Sequence, residues 1–370
     1  MRRQMKTGFF VSAVVAMAAC GGPYGQPGIN GYVRPDGMRH ADPLDPDAVI
    51  NPIFRCWAAS VLEYDPADQA WSGAWNDPGK ALGPATGQNF DIVSLGELTR
   101  SEIDQGAPPG SITLVFGDPF DPADGAAIRN GKGYDFAVFE NGFAAQITTA
   151  MGSFTGQRIA ELAYVEVSSN GRDFVRFPSV SLTPGRTGAY GTLETGDIHN
   201  LAGRHPNANG ICMGTPFDLD DLTDHPQVAS GAVDLGDIRY VRLVDVPGSG
   251  DFFDEATSQV SPATWPDWEP YPQDHPIYDA WPTWGSGGFD LEAIGVLHEQ
   301  QYPADINLDG LVDYADLAIL ADAWHTRFGD VQWNARCDVA REDLFIDSFD
   351  FAQFAAQWQS IELWRAAFSE

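Results

Sequence analysis

The sequence predicts a mainly β protein, an all-β sandwich followed by a small all-helical module, and three observations carry that prediction. Between Pro52 and His298 the apolar residues fall in short runs, SITLVFG, YDFAVFE, ELAYVEVSS, RYVRLVDV and FDLEAIGVL. Turn clusters such as NGKG, SSNGRD and VPGSGD separate them, and almost no helical period intervenes. Alternation in Tyr164, Val165, Glu166 and Val167, and again in Tyr240, Val241, Arg242 and Leu243, predicts strands with one buried and one wet face. From Ala304 onward the texture changes: Asp313, Asp316, Leu317, Leu320, Ala321 and Trp324 match Asp347, Asp350, Phe351, Phe354, Ala355 and Trp358, each 34 positions later. This is an internal duplication of a loop followed by a helix.

The chain has 370 residues and a formal net charge of −31, with 44% hydrophobic and 20% charged residues. That is the composition of a globular protein of about two domains. So negative a surface excludes nucleic acid as partner, because phosphate would be repelled where a basic stripe is needed. It favours divalent cations instead.

Residues 1–20 put Arg2, Arg3 and Lys6 ahead of a short apolar run ending MAAC, the pattern of a secretory signal peptide. Two ends are open: cleavage near Ala16 and Ala18, or a bacterial lipobox with Cys20 as the lipidated N-terminus and the acyl chains as the only membrane anchor. Either places the protein outside the cytoplasm, secreted or held at the cell surface. Cys56, Cys212 and Cys337 then remain, so at most one disulfide can form and disulfides do not organise the fold. Residues 21–51, rich in Gly, Pro and Asp, read as a flexible linker, 52–298 as the sandwich, 304–359 as the duplicated module and 360–370 as a tail.

Within the duplication, Asp305, Asn307, Asp309, Leu311, Asp313 and Asp316 stand at positions 1, 3, 5, 7, 9 and 12 of a loop with Gly310 at position 6. Ca²⁺ takes six to eight hard oxygen ligands, alternate residues of a tight loop point inward, and position 7 offers its carbonyl. This is the EF-hand frame, with Asp in place of Glu at position 12. That substitution, the single helix after the loop and the duplication together resemble the type I dockerin module of bacterial extracellular proteins. The resemblance implies a calcium-ordered pair of loop–helix units and, in cellulosomal members, docking onto a cohesin. By position the docking residues would be Tyr314 and Ala315, then Ser348 and Phe349. The second loop departs from the pattern, with Val339, Arg341 and Leu344 at positions 1, 3 and 6, leaving Asp343, Asp347 and Asp350, and Asp338 one place out of frame. Weak calcium binding or none is expected there.

The strings GSITLVFGDPF, NGKGYDFAVFENGF, ELAYVEVSSNGRDFVRFP, LAGRHPNANGICMGTPFDLDDL and GSGGFDLEAIGVL resemble a family of bacterial cell-surface proteins. Their main domain looks like the galactose-binding-like, discoidin-type jelly roll. The resemblance implies a glycan-binding end and a structural calcium between an early loop and the last strand, here Asp77 and Glu292. The alternative for these two is a turn-initiating Asp before Pro78 and a solvent-facing Glu. The stretch TWPDWEPYPQDHPIYDAWPTWG offers Trp265, Trp268, Tyr271, Trp281 and Trp284 among prolines. Such rings form either a platform for the apolar face of a sugar or the private core of a long loop.

Enzyme signatures are sparse. There is no GxSxG elbow, RNGKGYD lacks P-loop spacing, and His199, His205 and Cys212 match no zinc spacing. Glu140 with Glu161 or Glu166 would suit a glycosidase only at the right separation, and 52 acidic residues make such pairs common by chance. The reading is a surface-associated, non-catalytic glycan-binding protein with a calcium-binding dockerin-like module. The alternatives are a polysaccharide-active hydrolase with a dockerin-like tail, or an envelope protein making calcium-dependent protein contacts.

Overall fold

The computed structural model describes residues 22–34, 42–67, 75–117, 127–148, 154, 156–255, 274–283, 287–299, 302–307, 310–340 and 343–361. The predicted signal segment with Cys20 lies outside them. Among the described residues no helix is long and apolar enough to cross a membrane.

The protein is mainly β. The strands that build its two larger sheets are β1 (Ile29–Asn30), β2 (Cys56–Trp57), β3 (Ser60–Asp65), β4 (Val93–Ser94), β5 (Ser111–Val115) and β6 (Phe136–Glu140). They continue with β7 (Leu162–Ser168), β8 (Val175–Arg176), β9 (Leu201–Ala202), β10 (Met213–Phe217), β11 (Tyr240–Val246) and β12 (Asp290–Val296). One sheet runs β1-β10-β6-β12-β2, with β4 also on β12; the other runs β8-β7-β11-β5-β3, with β9 also on β7. Every pairing in the two sheets is antiparallel, the longest setting Val165 opposite Leu243 and Val167 opposite Val241. The two sheets share one apolar core, in which Phe136, Val138, Leu291 and Ile294 join Leu114, Val165, Val241 and Leu243. Each fully buried side chain of this kind stabilises by about 1.5–3 kcal/mol.

Two expectations need correction. The polar face of β7 is not wet: Tyr164 and Glu166 are buried with the rest of the strand. Arg176 lies over the Tyr164 ring, 4.1 Å from its centroid, and donates to Glu166 Oε1 at 2.8 and 2.9 Å, while Arg242 donates to Glu166 Oε2 at 3.2 Å. Charged side chains thus roof the strand, and alternation alone does not distinguish a polar roof from solvent. Nor is 21–51 a free linker where it is described. Tyr24 is buried and stacks on His199 with centroids 4.8 Å apart, Ile29 pairs with Gly214, and Tyr32 pairs with Ile50 in a small hairpin. The glycines serve close approach: a Cβ at Gly28 would stand 2.7 Å from the His205 ring, and one at Gly31 would stand 2.6 Å from Cys212 Sγ.

Three helices of six or more residues are described: α1 (Arg100–Gln105), α2 (Tyr314–Asp322) and α3 (Ser348–Ala356). The last two carry the duplication. Each opens on a capping box, Asp313 with Asp316 and Asp347 with Asp350, so the repeated aspartates set both helix starts. Ile306, Val312, Leu320, Cys337, Ile346 and Phe354 form a separate small core between the repeats. Cys56, Cys212 and Cys337 are all free thiols.

Candidate functional site

The first predicted calcium loop is described at residues 305–307 and 310–316. The Gly310 amide donates to Asp305 Oδ2 at 2.9 Å, and Gly310 has φ +83°, the left-handed turn that favours glycine. Asp316 accepts from Asn307 N at 3.0 Å on one oxygen and from Asp313 N at 2.9 Å on the other. Asp305 and Asp316 are fully buried, Leu311 directly follows Gly310 and is half-buried, and Asp309 lies outside the described residues. Among the described residues no three acidic, histidine or cysteine side chains converge as a metal cage.

The second loop repeats this frame with one residue inserted, which changes its alignment. The Leu344 amide donates to Asp338 Oδ2 at 2.8 Å, the counterpart of Gly310 to Asp305. Ala340 N and Val339 N donate to Asp350 Oδ1 at 3.0 and 2.9 Å, and Asp347 N donates to Oδ2 at 2.7 Å. Asp338, not Val339, therefore occupies position 1, Ala340 position 3 and Asp343 position 5. Leu344 takes the glycine's turn at φ +65°, a strained choice for a branched side chain. Asp338 Oδ1 is buried with no hydrogen-bond partner among the described residues, and burial pushes this carboxyl up to about 6. The Leu344 amide and the Arg55 charge act in the opposite direction and favour the ionised form. The proposed docking residues Tyr314, Ala315, Ser348 and Phe349 are all exposed, one pair at the start of each helix.

The other predicted residues separate. Asp77 caps a short 3₁₀ turn by accepting from Gly79 N at 3.0 Å. Glu292 is the unpaired residue of a β-bulge between Leu291 and Ala293 and is buried. Its Oε1 accepts from Thr86 N, Thr86 Oγ1 and Gly87 N at 2.6–2.7 Å, and Oε2 accepts from Asn207. The early loop is thus tied to the last strand, but through the carboxylate itself. A metal shared with Asp77 is corrected on that ground, since converging N–H and O–H donors repel a cation. Trp281 is 8% exposed and its Nε1–H donates to Leu98 O at 3.1 Å, so this ring serves packing. Trp265, Trp268, Tyr271 and Trp284 lie outside the described residues.

What the structure does bring together is a cleft of about 330 Å³ at the edge of β6 and β12, within the size range of small-ligand sites. Glu140, Glu161 and Asp290 line it, with Asn89 and Asn141 beside them. Phe90 and Tyr190, 72% and 56% exposed, line the same cleft with Trp75, whose ring centroid lies 5.3 Å from that of Phe90. Glu140 ends β6 and accepts from Gly142 N at 2.9 Å; Glu161 immediately precedes β7; Asp290 opens β12. Thr283 also lines the cleft and donates to Glu97, so the tail of the tryptophan-rich segment does reach it.

The electrostatics are one-sided. Burial, reinforced by Asp290, holds Glu140 and Glu161 well above the usual carboxylate range. Burial pushes Glu97 and Asp290 up to about 7, with Thr283 pulling on Glu97 and Ser94 and Asn141 on Asp290. Behind them Asp245 and Asp279 are likewise raised by burial and by neighbouring carboxyls. Such a cleft is able to donate hydrogen bonds from protonated carboxyls, accept them from ionised ones, and stack an apolar face. Sequence reasoning named Glu140 with Glu161 as one pair among many; no local spacing announces that two distant strand ends meet. Glu166, its alternative, is held by Arg176 and Arg242 on the other sheet.

No family model matches the chain, and neither the curated proteins nor the solved structures contain a match to it.

Proposed function

We propose that this is a secreted, surface-associated binding protein that takes a glycan into the cleft of its β unit, a unit we read as a galactose-binding-like jelly roll. The observation that carries the reading is the placement of two exposed rings, Phe90 and Tyr190, beside Glu140, Glu161 and Asp290 in one cleft. A sugar has an apolar C–H face for rings and a rim of hydroxyls for carboxyls and amides, so this pairing suits it on both sides. The C-terminal pair of loops and helices acts as a dockerin-like module that Ca²⁺ orders through Asp305, Asn307, Asp309, Leu311, Asp313 and Asp316. The ion would supply charge compensation for buried carboxylates. Tyr314, Ala315, Ser348 and Phe349 then form the face offered to a cohesin-like partner.

A glycan array with the full mature chain tests the reading, run beside a Phe90→Ala, Tyr190→Ala double variant. Both rings are exposed, so the variant is expected to fold and to lose binding. No binding by the wild type sinks the proposal.

The second reading, a polysaccharide-active hydrolase, is favoured by one observation: Glu140 and Glu161 line the same cleft, and Glu140 has the burial of a carboxyl kept protonated to act as an acid. Turnover of a polysaccharide panel that vanishes in Glu161→Gln would select it over simple binding.

A further inference from the structure

The cleft presents three acidic side chains and no cationic one among its described lining residues. The charged groups on the elements packed around it sharpen that imbalance. Glu97, Asp245 and Asp279 stand behind Glu140, Glu161 and Asp290 and repel them electrostatically. Of the nearby cations, Lys80 stands at the rim against Phe90 and Trp75, and the arginines of the surrounding loops are engaged away from the carboxyls. Lys80 donates to Phe90 O at 2.7 Å, Arg158 donates to Gly156 O at 3.1 Å, and Arg186 lies 6.0 Å from the Trp281 ring.

Two independent details point to a ligand that brings the missing positive charge. Asp290, 6% exposed and lining the cleft, keeps Oδ1 without a hydrogen-bond partner among the described residues, as Asp245 keeps Oδ2 just behind it. The rings are also suited to a cation: Trp75 already holds the Lys80 ammonium 5.6 Å from its centroid, on a cleft that adds Phe90 and Tyr190.

We propose that the cleft selects sugars bearing a free ammonium group, the de-N-acetylated hexosamines, over neutral and N-acetylated sugars. The inference rests on the reading of the cleft as a glycan site and names which glycans it takes. An ammonium on the pyranose ring places three N–H donors among carboxyl acceptors while the ring's C–H face stacks on the aromatics. N-acetylation removes that charge and two of the donors, and a neutral hydroxyl replaces a charge-assisted bond with an ordinary one. Because the buried carboxyls hold protons in the free protein, an entering ammonium drives those protons into the buffer.

Isothermal titration of the full chain with the tetrasaccharides of glucosamine, N-acetylglucosamine and glucose tests this, in chelator, at mildly acidic pH and in two buffers of different ionisation enthalpy. The glucosamine tetramer is expected to bind about tenfold or more tighter than the others, with proton release that the neutral tetramers lack. Glu161→Gln and Asp290→Asn, both near-isosteric, are each expected to reduce that preference. Equal binding of all three overturns the selectivity and leaves the glycan reading standing. No binding of any sugar overturns both. In a separate chelator-free titration, calcium binding without sugar that Glu161→Gln abolishes assigns the positive charge to a metal and overturns the amine.

Discussion

The Arg336 guanidinium donates to Glu299 Oε2 at 3.0 Å, and so fastens the C-terminal module to the chain just beyond the last strand of the β unit. Glu299 is buried, and Arg55 from the opposite side donates to the carbonyls of Ala335 and Asp338. The two modules are therefore joined through side chains as well as through the connecting peptide.

This joint predicts cooperative unfolding. Arg336→Ala removes the guanidinium hydrogen bonds from the buried Glu299 carboxyl and leaves it the Cys56 hydrogen bond and the Arg55 charge, at an expected cost of about 1–3 kcal/mol. Glu299→Gln keeps an acceptor for the Arg336 guanidinium, whose side chain is 26% exposed and reaches solvent, and is expected to cost less. Denaturant unfolding measures both; an Arg336→Ala variant as stable as wild type would deny the joint its role.

Calcium is predicted to stabilise the chain through the first loop. At about one hundred times the dissociation constant the gain is about 2.7 kcal/mol. Asp305→Ala and Asp316→Ala should each remove the calcium-dependent rise in melting temperature, whereas Asp338→Asn should remove only a second, weaker step. A wild-type melting curve indifferent to calcium and chelator contradicts the assignment.

The carboxyl cluster predicts greater stability in mild acid. Glu97 and Asp290 are pushed up to about 7, from unfolded values of about 4, and Glu140, Glu161, Asp245 and Asp279 are raised as well. Groups raised on folding stabilise fully below the unfolded value, and that contribution is lost as pH rises through the folded value. The melting temperature should fall between about pH 4 and about pH 7, with a smaller fall in Asp290→Asn. A rise over the same interval would contradict the burial assigned to these carboxyls.

Glu292 is predicted to be structural. Glu292→Ala strands the donors of Thr86, Gly87 and Asn207 in a buried site, with an expected loss of about 3 kcal/mol. Calcium or chelator should change neither the wild-type nor the variant contribution of this residue, which a double titration of melting temperature against calcium would read.

The large elements were legible because their signals are local. SITLVFG, YDFAVFE, ELAYVEVSS, RYVRLVDV and FDLEAIGVL each contain a strand, and the repeated Asp-x-x-Asp pairs each start a helix. The remainder depends on insertions and on meetings between distant residues. A fixed 34-residue offset aligns the two helices but hides Asp338, because one residue is inserted between it and Leu344. Gly28 and Gly31 read as flexibility in composition, yet stand where His205 and Cys212 leave no room for a side chain. The cleft was the least legible feature: Glu140 and Asp290 meet because β6 pairs with β12, and Glu161 joins them from the start of β7 in the other sheet.

Hydrogen–deuterium exchange of the full chain, with and without the best glycan from the array, locates the glycan on the fold. Slowed exchange is expected in the segments around Phe90, Asn141 and Tyr190, with the C-terminal helices unchanged. Protection confined to another face, or to the C-terminal module, would contradict the cleft as the glycan site.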